Sequence, residues 1–136
     1  MNANVQVGDW GLGNVYNYVT PLELEEKKFD YFFGMVDSNK HNLDRSLQNQ
    51  NQLNSIGIFN NEYGRKILKD SIYKQLQNPN NIIDRRISNY NGKSQIFETR
   101  EMLIVGPNGV KIMVVDFEVM NNHSRRVTTI IIKGGK

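Results

Sequence analysis

The sequence contains no cysteine. A disulfide framework, a cysteine nucleophile and a thiolate metal site are all excluded. Histidine is nearly as scarce: His41 and His123 are the only two, far apart in the chain. A zinc site built on neighbouring imidazoles has nothing to start from, so no metal and no cofactor is expected. No run of roughly 18 apolar residues occurs, which argues against a transmembrane helix. The first twenty residues lack the basic start and apolar block of a secretory leader. There is no internal repeat and no long low-complexity stretch.

What is present is a chain of 136 residues with a formal net charge of +3. That length suits one domain with one core. The isoelectric point of about 9.2 favours an anionic partner such as nucleic acid. Residues 1–19 are rich in Gly and Asn and lack a period, so they read as an irregular lead-in, pinned by Trp10 and Tyr16. A single domain is expected over 20–136.

Thr20-Pro21-Leu22-Glu23 has the pattern of a capping box with proline in the first turn, which predicts a helix from there to about Phe33, stopped by Gly34. Ser38 can cap a second helix running to about Ile56, with Gly57 as its left-handed terminator. A third helix starts at Asn60 or Asn61. Its Tyr63, Ile67, Leu68, Ile72, Tyr73 and Leu76 recur on one face, and Asn78-Pro79-Asn80 ends it. Beyond this point β-branched residues dominate. Strands are expected over 82–90, 94–105, 110–120 and 126–132. The separators are Asn91-Gly92, Gly106-Pro107-Asn108-Gly109 and Asn121-Asn122-His123-Ser124, all turn chemistry. The fold class is therefore α+β: N-terminal helices packed on one face of a four-stranded antiparallel meander.

The second helix carries the chemistry. Leu43, Leu47, Leu53 and Ile56 can form a buried stripe. His41, Arg45, Gln48, Asn49 and Gln52 fall on one continuous face, flanked by Asn42 and Ser46. A solvated surface helix would account for such a face. Against that, helix-poor residues crowd a segment that could have used Glu, Lys and Ala. An imidazole that titrates near neutrality and a guanidinium fork are the parts needed to move a proton and hold a phosphate. On the strands, Glu98 and Arg100 share a face with Met102 and Ile104, and Thr128 and Thr129 are expected on opposite faces. His123 reads as a surface turn residue.

The segment "YFFGMVDSNKHNLDRSLQNQNQLNSIGI" followed by "GRKILKDSI", with the closing "RVTTIII", resembles C-terminal toxin domains of bacterial polymorphic toxins of the contact-dependent inhibition and Rhs types. The helices-then-sheet layout is similar to the superfamily of barnase, EndoU, colicin and RelE ribonucleases. The resemblance implies a metal-independent ribonuclease toxin of interbacterial competition. Its substrate would be RNA, with tRNA the expected class, its partner a cognate immunity protein, and its place of action the bacterial cytoplasm after delivery in a larger secreted protein. Assigned from chemistry, His41 transfers a proton, Arg45 binds phosphate, and Asn42, Ser46 and Asn49 assist. Glu98 is a second proton-transfer group, Arg100 a second phosphate contact, and Thr128 or Thr129 a hydrogen-bond donor. The competing readings are an immunity-like binding module and an RNA-binding domain without catalysis.

Overall fold

A computed structural model describes residues 19–36 and 38–134. Apart from Val19, the expected lead-in with Trp10 and Tyr16 lies outside the described residues.

The helices precede four strands of the sheet, but a short strand comes before them, and the first helix is much shorter than expected. Leu22–Glu23 is a two-residue strand, β1, followed by a 3-10 turn at Glu26–Lys28 and one α-helical turn, α1, at Phe29–Phe32. The capping-box pattern at Thr20 loses to a tertiary partner. β1 pairs in parallel with the last strand at Arg125 and Arg126, and Pro21 O accepts a bond from Arg125 N. The long helices are α2 (Lys40–Ser55) and α3 (Glu62–Leu76). Asn39, rather than Ser38, caps α2 by accepting from Asn42 N at 2.8 Å. Asn61 caps α3 by accepting from Gly64 N at 2.7 Å.

Gly57 ends α2 with φ +85°, as expected. Ile58 N reaches back to Leu53 O and Gly57 N to Asn54 O, the paired bonds of a Schellman end, and Ile58 packs in the core with Leu53.

The four expected strands are present as β2 (Ile82–Tyr90), β3 (Lys93–Gly106), β4 (Gly109–Val119) and β5 (Arg125–Ile132). They form the antiparallel meander, and β1 extends it to five strands in the order β1-β5-β4-β3-β2. Asn91 and Gly92 both have positive φ, the requirement of a tight two-residue hairpin. Met102, Ile104, Met113, Val115, Phe117, Ile130 and Ile132 point to one face and meet Phe29, Phe32, Leu53, Leu68, Ile72 and Leu76 in one core. The third helix buries Leu68, Ile72 and Leu76, while Tyr63 and Tyr73 are exposed.

The buried side of α2 is rotated from the expected stripe. Ser46, Asn49 and Leu53 are buried, whereas Leu43 is half-buried and Leu47 exposed. The reason is Asn49. Beyond its short pairing with β1, the outer edge of β5 has no strand beside it among the described residues. The Asn49 carboxamide takes that place: Nδ2 donates to Ile130 O at 3.1 Å and Oδ1 accepts from Ile132 N at 2.8 Å. Nδ2 also donates to Tyr31 O at 2.8 Å. One side chain thus ties α1, α2 and β5 together. Ser46 is consumed locally, its hydroxyl donating to Leu43 O.

Replacing Asn49 by Ala would leave three backbone groups without a partner. At about 1 kcal/mol per lost bond, plus the cost of unpaired buried polar groups, Asn49→Ala should lose about 2–4 kcal/mol of stability. Denaturant unfolding checks this, and a change below about 0.5 kcal/mol would show that water replaces the amide.

Candidate functional site

His41, Arg45 and Gln48 do share a face of α2. With Asp44, Asn49 and Ile131 they line a depression of about 310 Å³. Asp44 is held by Lys40 at 2.8 Å. Among the described residues, the side chains of His41, Arg45 and Gln48 make no hydrogen bond or ion pair, so their donors and acceptors stand open. Asn42 belongs to the helix start instead, its Nδ2 donating to Ser38 Oγ at 3.0 Å.

None of Glu98, Arg100, Thr128 and Thr129 lines this depression. Glu98 and Arg100 are buried together. Glu98 Oε1 accepts from Arg100 Nε at 2.9 Å and from Arg125 Nε at 3.0 Å, and Arg85 stands 3.5 Å from Oε2. Arg100 also donates to Leu76 O, Asn78 O and Asn81 Oδ1. It thereby satisfies carbonyls at the end of α3, where a cation is favoured. Burial pushes the Glu98 carboxyl up, but the hydrogen bonds and charge of Arg125 and Arg100 outweigh it and hold it below its ordinary value. Burial lowers the Arg100 guanidinium, and Glu98 opposes this. A carboxylate kept ionised by guanidinium partners serves structure better than proton transfer.

The two threonines are separated by a bulge. Asp116 pairs with Thr129 and the next residue, Phe117, with Val127, so Thr128 has no partner across the ladder and simple alternation breaks. Thr128 Oγ1 donates to Asp116 O, and Thr128 O accepts from Lys28 Nζ at 3.2 Å. Thr129 stands opposite Asp116 on the sheet face away from the helices. His123 adopts φ +69° in the β4–β5 turn.

A larger groove, of about 560 Å³, opens beside Thr128. Its lining includes Lys27, Lys28, Tyr31, Glu118 and Arg126. Lys28 Nζ lies 5.0 Å from the centre of the Tyr31 ring, and burial lowers its pKa, partly opposed by Glu25. Arg126 bridges Glu23 at 3.5 Å and Glu118 at 3.7 Å. Apart from Thr128, the sequence reading assigned these residues no role. The larger groove meets β5 at Val127 and Thr128 and the smaller at Ile131, about 10 Å apart at strand rise. Among the described residues no cluster of three metal-ligating side chains occurs, and no helix is long and apolar enough to cross a membrane.

The Glu98 cluster predicts a pH effect. Its folded pKa lies below the unfolded value, so its contribution is complete above about pH 4.5 and is lost as pH falls through the folded value. Glu98→Gln should lower the melting temperature at pH 7 and flatten its decline in acid. Equal acid slopes in the two proteins would overturn the assignment.

No family model matches the chain, and no curated protein does. Among solved structures, it is similar to a chain of the contact-dependent growth inhibition toxin–immunity protein complex from Klebsiella pneumoniae 342. The two are 32% identical over 81% of this chain and 98% of that one, with a TM-score of 0.69. Nearly the whole of that chain is covered, so the likeness includes both the helices and the sheet, and this chain belongs to the family of contact-dependent growth inhibition toxin–immunity proteins.

Proposed function

We propose that the chain is the toxin of such a pair, a metal-independent endoribonuclease of interbacterial competition. Its substrate is RNA, with tRNA the expected class, it acts in the cytoplasm of the target bacterium, and a cognate immunity protein restrains it. The observation that carries this reading is the set of basic side chains beside β5: Lys27, Lys28 and Arg126 at one groove, where Glu25, Asp30 and Glu118 stand among them, and the open His41 and Arg45, with Asp44, at the other. A set of this kind can follow a phosphate backbone. The basic isoelectric point favours the toxin over the immunity reading, since a protein that masks a basic nuclease site needs acidic charge.

In the proposed reaction a base removes the ribose 2′-hydroxyl proton, and the oxygen attacks the adjacent phosphorus. The 5′-oxygen departs with a proton from an acid, leaving a 2′,3′-cyclic phosphate and a 5′-hydroxyl. His41 is the proton-transfer group, and Arg45 offers its fork of donors to phosphate oxygens. Lys28, half-buried and lowered in pKa, is suited to give a proton or a positive charge, and Thr128 fixes its ammonium through the bulge carbonyl. Asn42, Ser46, Asn49, Glu98 and Arg100 hold the scaffold, while Thr129 lies on the open sheet face.

Incubating the purified chain with total bacterial RNA and a chelator should yield discrete fragments with 5′-hydroxyl ends. His41→Ala should lower the rate about 10²–10⁴-fold, with stability changed by no more than about 0.5 kcal/mol because the side chain is exposed. Arg45→Ala should weaken RNA binding as well as turnover. Intact RNA after prolonged incubation with the wild-type chain, together with protection of cells against a related toxin, would establish the immunity reading instead.

A further inference from the structure

The two edges of the sheet are treated differently. At β5 the outer backbone groups are taken up by β1, by Asn49 and by Lys28. At the opposite edge β2 ends the strand order. Among the described residues no backbone group bonds to its outer side. It is nine residues long and displays large apolar side chains, with Ile83 58%, Ile87 68% and Tyr90 69% exposed. A long open edge of this kind is a template for strand addition.

The β2 sequence is complementary to itself. In antiparallel pairing about a two-fold axis through Arg85, Asp84 stands opposite Arg86 of a second copy, twice, so that the Asp84–Arg86 bridge within each strand is repeated across the pair, and Ile87 faces Ile83, the extra residue of the irregularity between Ile82 and Asp84. Arg85 meets Arg85 at the centre, but each is accompanied by its own Glu98 at 3.5 Å. Centring the axis on Asp84 or on Arg86 also brings like charges together at the centre, and it sets Ile83 or Ile87 opposite Arg85, so the Asp84–Arg86 pairs are lost. Only the Arg85 register pairs opposite charges and apolar side chains at once. Ile96, on β3 opposite Ile87, is also exposed and widens the apolar strip that the second copy would cover.

We infer that two copies of this chain associate edge to edge through β2 in the Arg85-centred register, joining their sheets into one. The association is independent of the ribonuclease reading.

Sedimentation velocity over a range of protein concentrations tests this. The wild-type chain should show a reversible monomer–dimer equilibrium. Ile87→Lys removes an apolar pair, and Asp84→Lys places a lysine opposite Arg86. Each should weaken the dimer at least tenfold, while the thermal midpoint stays near that of the wild-type chain because both side chains are exposed. Hydrogen exchange on the unaltered chain gives a readout that needs no variant: the outward amides of β2 should gain protection as concentration rises. A wild-type chain that stays monomeric throughout, or a dimer indifferent to both substitutions with no gain of protection in β2, would overturn the inference.

Discussion

One carboxamide decides how the helical layer sits on the sheet. Asn49 reads the edge of β5 as a neighbouring strand would, giving to one carbonyl and taking from an amide two residues on. Its third bond fixes α1 at Tyr31. A buried amide at the middle of a helix is tolerable only when its polar atoms are paired, and this geometry pairs both. Once α2 is set against β5 in this way, Leu53 is carried into the core. His41, Arg45 and Gln48 are left beside the strand with no side-chain partner among the described residues. The polarity of the helix therefore has two causes, one structural and one available for chemistry.

The charged groups divide in the same manner. Glu98 gathers three guanidinium groups on the helix side of the sheet, and Arg100 extends the cluster to the end of α3. On the other face Asp116 accepts from Thr99 and stands near Arg86, a partly exposed arrangement of lesser energetic weight. Beside β5, Arg126 is bridged to Glu23 and Glu118, whereas Arg45 has no ion-pair partner among the described residues. Charge in this small domain is thus internal cement in one region and an open surface in another.

Local chemistry made much of the fold legible in the sequence. Gly57, Asn91-Gly92 and the Gly106–Gly109 turn sit where backbone geometry demands those residues, and the strands between them alternate as a half-buried sheet must. The first helix was misread because Thr20-Pro21-Leu22-Glu23 has every local mark of a helix start. Its partner, Arg125, lies more than a hundred residues away, and short-range propensity carries no information about it. Asn49 was placed on the working face for a similar reason: a polar residue on a polar stripe is assigned to solvent unless the strand it serves is known. Glu98 and Arg100 were put on the correct sheet face, but their mutual burial was not visible until α3 covered them. Lys28 passed unnoticed because its surroundings exist only when α1 meets β5.

The bulge at Thr128 has a consequence for how β5 could change its length. Arg125 and Val127 precede it and point to the helices, while Ile130 and Ile132 follow it and point to the same side. Removing Thr128 would leave a regular strand in which all four still face the core. The hydrophobic interior therefore tolerates a strand one residue shorter, and the extra residue answers to something other than packing. What the shorter strand would forfeit is the displaced carbonyl that holds the Lys28 ammonium.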